Sequence, residues 1–130
     1  MNTPALIKNI SFSETHLLAD LVEYNEGQVT SRTLAQNKGL SLTLFAFDKG
    51  EGLSTHAAPG DAMVQVLEGE VQLNIGGKEV VAKLGEIVVM PADVPHSVNA
   101  VTRFKMLLTL VKKPQRGRGG VIGSGLIVKS

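Results

Sequence analysis

The chain has no cysteine among its 130 residues, so disulfide frameworks, thiolate metal sites and cysteine nucleophiles are excluded at the outset. It also lacks a charge of consequence: 13 Lys and Arg against 12 Asp and Glu leave a formal +1. Nucleic-acid binding needs a concentrated basic face. The one local cluster, Lys112-Lys113 with Arg116 and Arg118, is short and interleaved with glycine, so no nucleic-acid partner is expected. No apolar run approaches the length of a membrane span, and MNTPALIKNISF lacks the apolar stretch of a secretory signal. The expectation is a soluble, cytoplasmic protein with no membrane partner.

What is present suffices for one core. Hydrophobic residues make up 43% of the chain, and this length closes a single domain. Near the start, Ser11 and Glu14 have the spacing of a capping box, and Leu17, Leu18 and Leu21 recur at roughly helical intervals. That pattern predicts a short helix near 12–20, with a strand over Leu21-Val22-Glu23-Tyr24 as the alternative. Asn25-Glu26-Gly27 reads as a three-residue hairpin loop with Gly27 in the left-handed region.

From Gln28 onward the period is two. SLTLFAF (41–47), VQLNI (71–75), the return from Lys78 to Leu84, EIVVM (86–90) and FKMLLTLV (104–111) are separated by Gly, Pro, Asp and Asn. Short strands at even spacing predict an all-β sandwich or barrel. One domain follows, divided into an N-terminal arm and hairpin (1–39), a barrel core (40–112) and a Gly-rich tail (113–130). The tail holds five of the 14 glycines after Pro114, beside the apolar pieces VIG and LIV.

Two stretches carry a family resemblance. In the first, Gly50 is followed after five residues by His56, and Gly69 closes the motif. In the second, Gly85 is followed after five residues by Pro91, and then by His96. These resemble the two motifs of the cupin superfamily, an antiparallel RmlC-like jelly-roll barrel (a double-stranded β-helix). The resemblance covers roughly residues 40–111. Asp93 stands where the family has Gly, and Asn99 lies one position short of the family Asn. Mechanically, Gly69 is expected to permit a tight turn and Gly85 to avoid a Cβ clash, while Pro91 and Pro95 stiffen the loop before His96.

In metal-binding cupins three His and one Glu hold a transition metal. By position this chain keeps His56 and His96 but has Ala58 and Ala62 at the other two places. Asp61 is the nearest carboxylate, so a His56–Asp61–His96 set is the candidate for a divalent Fe, Mn, Ni or Zn ion. The competing reading has Asp61 capping the Pro59-Gly60 turn. His56 and His96 are then either idle pocket histidines or groups that bind or protonate a small polar molecule, with Ala58 and Ala62 lining the same cavity. A binding module is therefore the first functional reading. A metal-dependent oxygenase, isomerase or decarboxylase is the alternative, and fold likeness alone does not choose between them.

His16 is read as a surface residue, Met63, Met90 and Met106 as packing rather than soft ligands, and Glu68 and Glu70 as solvated. Ser124 has no nucleophile-elbow context, and the glycine tail is no phosphate loop. If Ala62 faces inward, Met63 and Leu67 face out. Two exposed apolar residues on a sheet, together with the family habit, predict a homodimer.

Overall fold

The computed structural model describes residues 5–114, and the larger part of the Gly-rich tail lies outside them. Nine strands form among the described residues: β1 (Val29–Gln36), β2 (Leu40–Phe47), β3 (Gly52–His56), β4 (Gly60–Glu68), β5 (Glu70–Ile75), β6 (Lys78–Lys83), β7 (Ile87–Met90), β8 (His96–Ala100) and β9 (Phe104–Lys112). They make a five-stranded sheet in the order β1-β2-β9-β4-β7 and a four-stranded sheet in the order β3-β8-β5-β6. Every pairing between them is antiparallel. The two sheets face each other as a jelly roll, the all-β architecture that the period-two pattern predicts. No helix among the described residues is long and apolar enough to cross a membrane.

Alternation decides what goes inside. On β4, Ala62, Val64 and Val66 are buried while Asp61, Met63 and Gln65 are not. The inward set packs with Val71, Leu73, Ala82, Met90, Val98, Ala100, Phe104 and Met106 as one core. Each fully buried valine or leucine there contributes about 2 kcal/mol by leaving water. Phe47 stacks at a tilt on Phe104, 5.2 Å between centroids. Met90 and Met106 belong to this packing, as expected.

The N-terminal segment departs from the sequence reading in detail. Its helix is a single 3-10 turn, Leu18–Leu21, with no side-chain cap. Ser11 does not cap it; its carbonyl oxygen instead lies 2.9 Å from Nε2 of the exposed His16. The Gly27 turn forms with φ +70, but it joins an irregular segment to β1 rather than two strands. The first hairpin lies later, where Asn37 Oδ1 accepts the amides of Gly39 and Leu40 at 2.8 and 2.9 Å. Local hydrogen bonding by Asn is what closes this turn.

That segment covers part of the outer face of the five-stranded sheet. Ile10, Leu18, Leu21, Val22 and Tyr24 pack on Leu34, Leu42, Leu44, Ala46, Leu67 and Leu107. It is fastened by Lys105, whose Nζ donates to the Ala19 carbonyl at 2.6 Å and stands 3.7 Å from Glu68. The Tyr24 ring lies under both Arg103 (5.1 Å) and Lys105 (4.8 Å), and its hydroxyl donates to Glu68 at 2.7 Å. Burial, then the bond and charge of Glu68, raise the Tyr24 pKa well above its usual value. Glu68 is thus a structural acceptor as well as a charge still partly open to solvent.

Two glycines separate two kinds of cost. Both Gly69 and Gly85 have positive φ, +77 and +88. A Cβ on Gly69 would collide with the Arg103 carbonyl, whereas nothing lies within 4 Å of one on Gly85. The expected clash at Gly85 is therefore absent, and the reason for glycine there is conformational alone. Gly85→Ala should lower stability by about 1 kcal/mol. Gly69→Ala should cost about 3 kcal/mol or more, because strain and overlap add. Urea denaturation of both variants measures the difference.

Candidate functional site

The site is built where β3 and β8 pair at one edge of the four-stranded sheet. Residues His96, Val98 and Ala100 alternate inward along β8, and Val98 and Ala100 belong to the core. Inward alternation carries His96 with them, leaving it only 4% exposed. Across the ladder Gly52 stands opposite Asn99, Leu53 opposite Val98 and His56 opposite His96. Leu53 packs on the core, so a regular strand would turn His56, three residues later, to the other face. The register shifts between Leu53 and His56, and that irregularity returns His56 to the side of His96.

The loop that delivers His96 is held from three sides. The Asp93 amide donates to the Ala58 carbonyl at 2.8 Å, and the Gly76 amide to the Pro95 carbonyl at 2.9 Å. The Ala92 amide donates to Asp61 Oδ1 at 2.8 Å. Asp93 has φ +65, a left-handed conformation that Asp tolerates better than most residues and Gly tolerates best. This accounts for the family glycine at that position. Asp93 is further paired with Lys113 at 2.7 Å.

The two imidazoles meet edge to face, 4.5 Å between centroids and 67° between planes. His56 Nδ1 lies 2.9 Å from the Ser54 carbonyl, and His96 Nδ1 lies 3.1 Å from the Val94 carbonyl. A carbonyl only accepts, so each Nδ1 carries the hydrogen and each neutral ring keeps its lone pair on Nε2. Burial holds the His96 pKa below 6.5. The bond to Val94 opposes this, and the neighbouring His56 adds a further lowering. The result is a pair of fixed imidazoles, one buried and one exposed at the rim, each with an acceptor nitrogen left over.

The other candidate residues fall elsewhere. Asp61 is exposed, on the opposite face of β4 from the buried Ala62, with its Oδ1 committed to the Ala92 amide. Among the described residues no three His, Cys, Asp or Glu side chains are grouped to hold a metal ion. Residues 1–4 and 115–130 contain none of these four types. Ala62 lies in the core, aligned with Met90 and Leu110 on the flanking strands. Ala58 is half-buried beyond the end of β3. The side chains of this chain therefore offer a metal two imidazoles, short of the set for a resident ion. Two open clefts, about 480 and 370 Å³, flank Arg32 and Leu21 on the outer side of β1, where His16 lies.

Fold and histidine placement together define a cupin, and the comparisons agree. Residues 43–111 match the family description of a cupin domain. A conserved protein of unknown function from Streptococcus pyogenes superposes with a TM-score of 0.84 at 38% identity, covering 88% of this chain and 100% of its own. A cupin superfamily protein from Desulfitobacterium hafniense gives 0.80 at 30% identity, covering 84% and 100%. A cupin 2 conserved barrel domain protein from Leptotrichia buccalis is 48% identical, with a TM-score of 0.72 over 73% of this chain and 46% of that one. No match is found among curated proteins. The chain belongs to the cupin family.

The lowered pKa of His96 has a signed consequence. Below 6.5 the unfolded chain takes up the proton that the folded chain refuses, so the unfolded state gains. The stability from a neutral His96 is complete above pH 6.5 and is lost as pH falls toward the lowered value. The urea midpoint of the wild type should therefore drop more steeply with acid below pH 6.5 than that of His96→Gln. Ring-proton NMR should show His96 titrating below 6.5.

Proposed function

We propose that this cupin is a binding module that takes a small polar molecule at the His56–His96 pair, and holds a divalent metal only loosely there. The observation that carries this reading is the pair itself. Both Nδ1 hydrogens are spent on backbone carbonyls, which leaves an Nε2 acceptor on each of two rings 4.5 Å apart at the edge of an aliphatic interior. A ligand site of this kind combines an apolar wall with a few fixed polar groups. A hydroxyl, ammonium or protonated acid group would donate to Nε2, and the neutral state of buried His96 keeps that acceptor available at physiological pH. A transition ion would take the same nitrogens and draw its remaining ligands from water or from the bound molecule.

The metal-dependent oxygenase, isomerase or decarboxylase reading is less well supported. It needs a third protein ligand, and Asp61 is turned to the outer face of β4. The solved relatives named above carry no stated substrate, so the chemistry of the pair is the sole guide to ligand class.

Two titrations test the proposal. A panel of small polyols, amines and carboxylic acids is screened by thermal shift. A binder present at about ten times its Kd stabilises by about 1.4 kcal/mol, which raises Tm by about 4–6 °C in a domain of this size. Such shifts should vanish in His56→Ala and His96→Ala, and a shift that survives both places the site elsewhere. Calorimetric titration with Zn²⁺ should give micromolar or weaker affinity, lost in the same variants. Nanomolar affinity would contradict the loose-metal reading.

A further inference from the structure

Lys105 and Arg32 both stand among the residues that the N-terminal segment covers, but only one of them is neutralised there. Lys105 meets the Ala19 carbonyl, Glu68 and the Tyr24 ring. Arg32, on the edge strand β1, aligns with Leu44, and Leu44 with Leu107. Aligned residues share a face, and both leucines pack beneath the segment. Of the five N–H groups of a guanidinium, Arg32 gives one to the segment, from Nη1 to the Asn9 carbonyl at 2.8 Å. It forms no ion pair among the described residues, and residues 1–4 and 115–130 contain no Asp or Glu. Its charge and most of its donors are uncommitted.

Arg32 lines the cleft of about 480 Å³, together with the apolar Ile10 and Leu21 and the polar Asn9, Ser11 and His16. The polar wall is fixed in place. Asn9 Nδ2 donates to the Thr33 carbonyl at 2.7 Å, and His16 Nε2 closes the loop on the Ser11 carbonyl at 2.9 Å. Asn9 and Ser13 are both left-handed, with φ +64, a conformation that serine holds only under strain. Among the described residues no acidic side chain lines this cleft. Asp20 and Glu23 line the adjoining one, which shares Leu21 and Arg32.

We propose that the 480 Å³ cleft binds a small monocarboxylate, its carboxylate on Arg32 and its hydrocarbon body against Ile10 and Leu21. A guanidinium takes a carboxylate through two parallel N–H bonds, a match that a point charge lacks. An apolar wall with a few fixed polar groups is the ordinary form of a ligand site. Asp20 and Glu23 turn an anion away from the adjoining cleft and toward this one. The site is separate from the histidine pair and takes a different group. A carboxylate ion only accepts hydrogen bonds, and so do the Nε2 atoms of His56 and His96.

Titration of the full ¹⁵N-labelled chain with acetate, butyrate and hexanoate at neutral pH, followed by amide shifts, tests the assignment. Saturable shifts should centre on Asn9, Ser11, His16 and Arg32 and leave His56 and His96 unmoved. Full burial of a methylene is worth about fourfold in affinity. The cleft is open, so half of that gain should make hexanoate bind at least tenfold more tightly than acetate. Hexan-1-ol should bind at least tenfold more weakly than hexanoate. Arg32→Gln should weaken hexanoate about tenfold, and Arg32→Lys, which keeps the charge without the fork, by less. An unchanged Lys8 amide in both variants, still bonded to the Leu34 carbonyl, shows that the segment stays docked. Hexanoate binding undiminished in Arg32→Gln would overturn the proposal, as would shifts centred on the histidine pair or no saturable shift with any of the three acids.

Discussion

The site depends on one register, the pairing of β3 with β8 that sets His56 opposite His96. His96 is placed by simple alternation with Val98 and Ala100, whose burial in the core is the driving force. His56 is placed only because the ladder slips between Leu53 and itself. Without that extra residue, Leu53 in the core would force His56 outward, and the ring contact at 4.5 Å could not form. The anchors of the preceding loop serve the same end. Ala58, Asp61 and Gly76 each hold one backbone group of the segment 92–95, so the approach of His96 is determined before any ligand arrives.

Much of this is legible in the residues. Period-two runs punctuated by glycine and proline specify antiparallel strands, and they do so here for β2, β5, β6, β7 and β9. The spacing from Gly50 to His56 and from Gly85 to His96 points to the two histidines as partners, although they are forty residues apart in the chain. What alternation does not reveal is the slip in β3, since a bulge shows in pairing and not in composition. Nor does spacing reveal what Asp61 bonds. Its neighbour Ala92 comes from a distant loop, and only the closed barrel brings that amide within 2.8 Å. The left-handed Asp93 is a case in which the family residue foretold the conformation better than the residue present.

The N-terminal segment was the least legible part, for a physical reason. Its leucines resemble a helix by interval, yet they are used to cover a sheet, and a 3-10 turn with irregular flanks suits that purpose. Lys105 lies within an apolar strand run and gives no sign of its role by itself. Folding surrounds it with the Ala19 carbonyl, Glu68 and the face of Tyr24, which together offset the cost of burying a charge. The segment answers one condition, a sheet that is apolar on both faces: it covers the half over β1 and β2 and leaves Ile87 and Val89 of β7 exposed.

The claim at the centre of this account is that both imidazoles are held by Nδ1 and offer Nε2. Long-range ¹H–¹⁵N correlation spectra of the ring nitrogens, recorded above neutral pH, read this directly. The account predicts that His56 and His96 are both Nδ1–H tautomers, each with an unprotonated Nε2. On adding a binder, the Nε2 resonances should move more than the Nδ1 resonances. An Nε2–H tautomer at His96 would contradict it, since the backbone bond to Val94 would then not exist and the pair would lose the Nε2 acceptor of its buried ring.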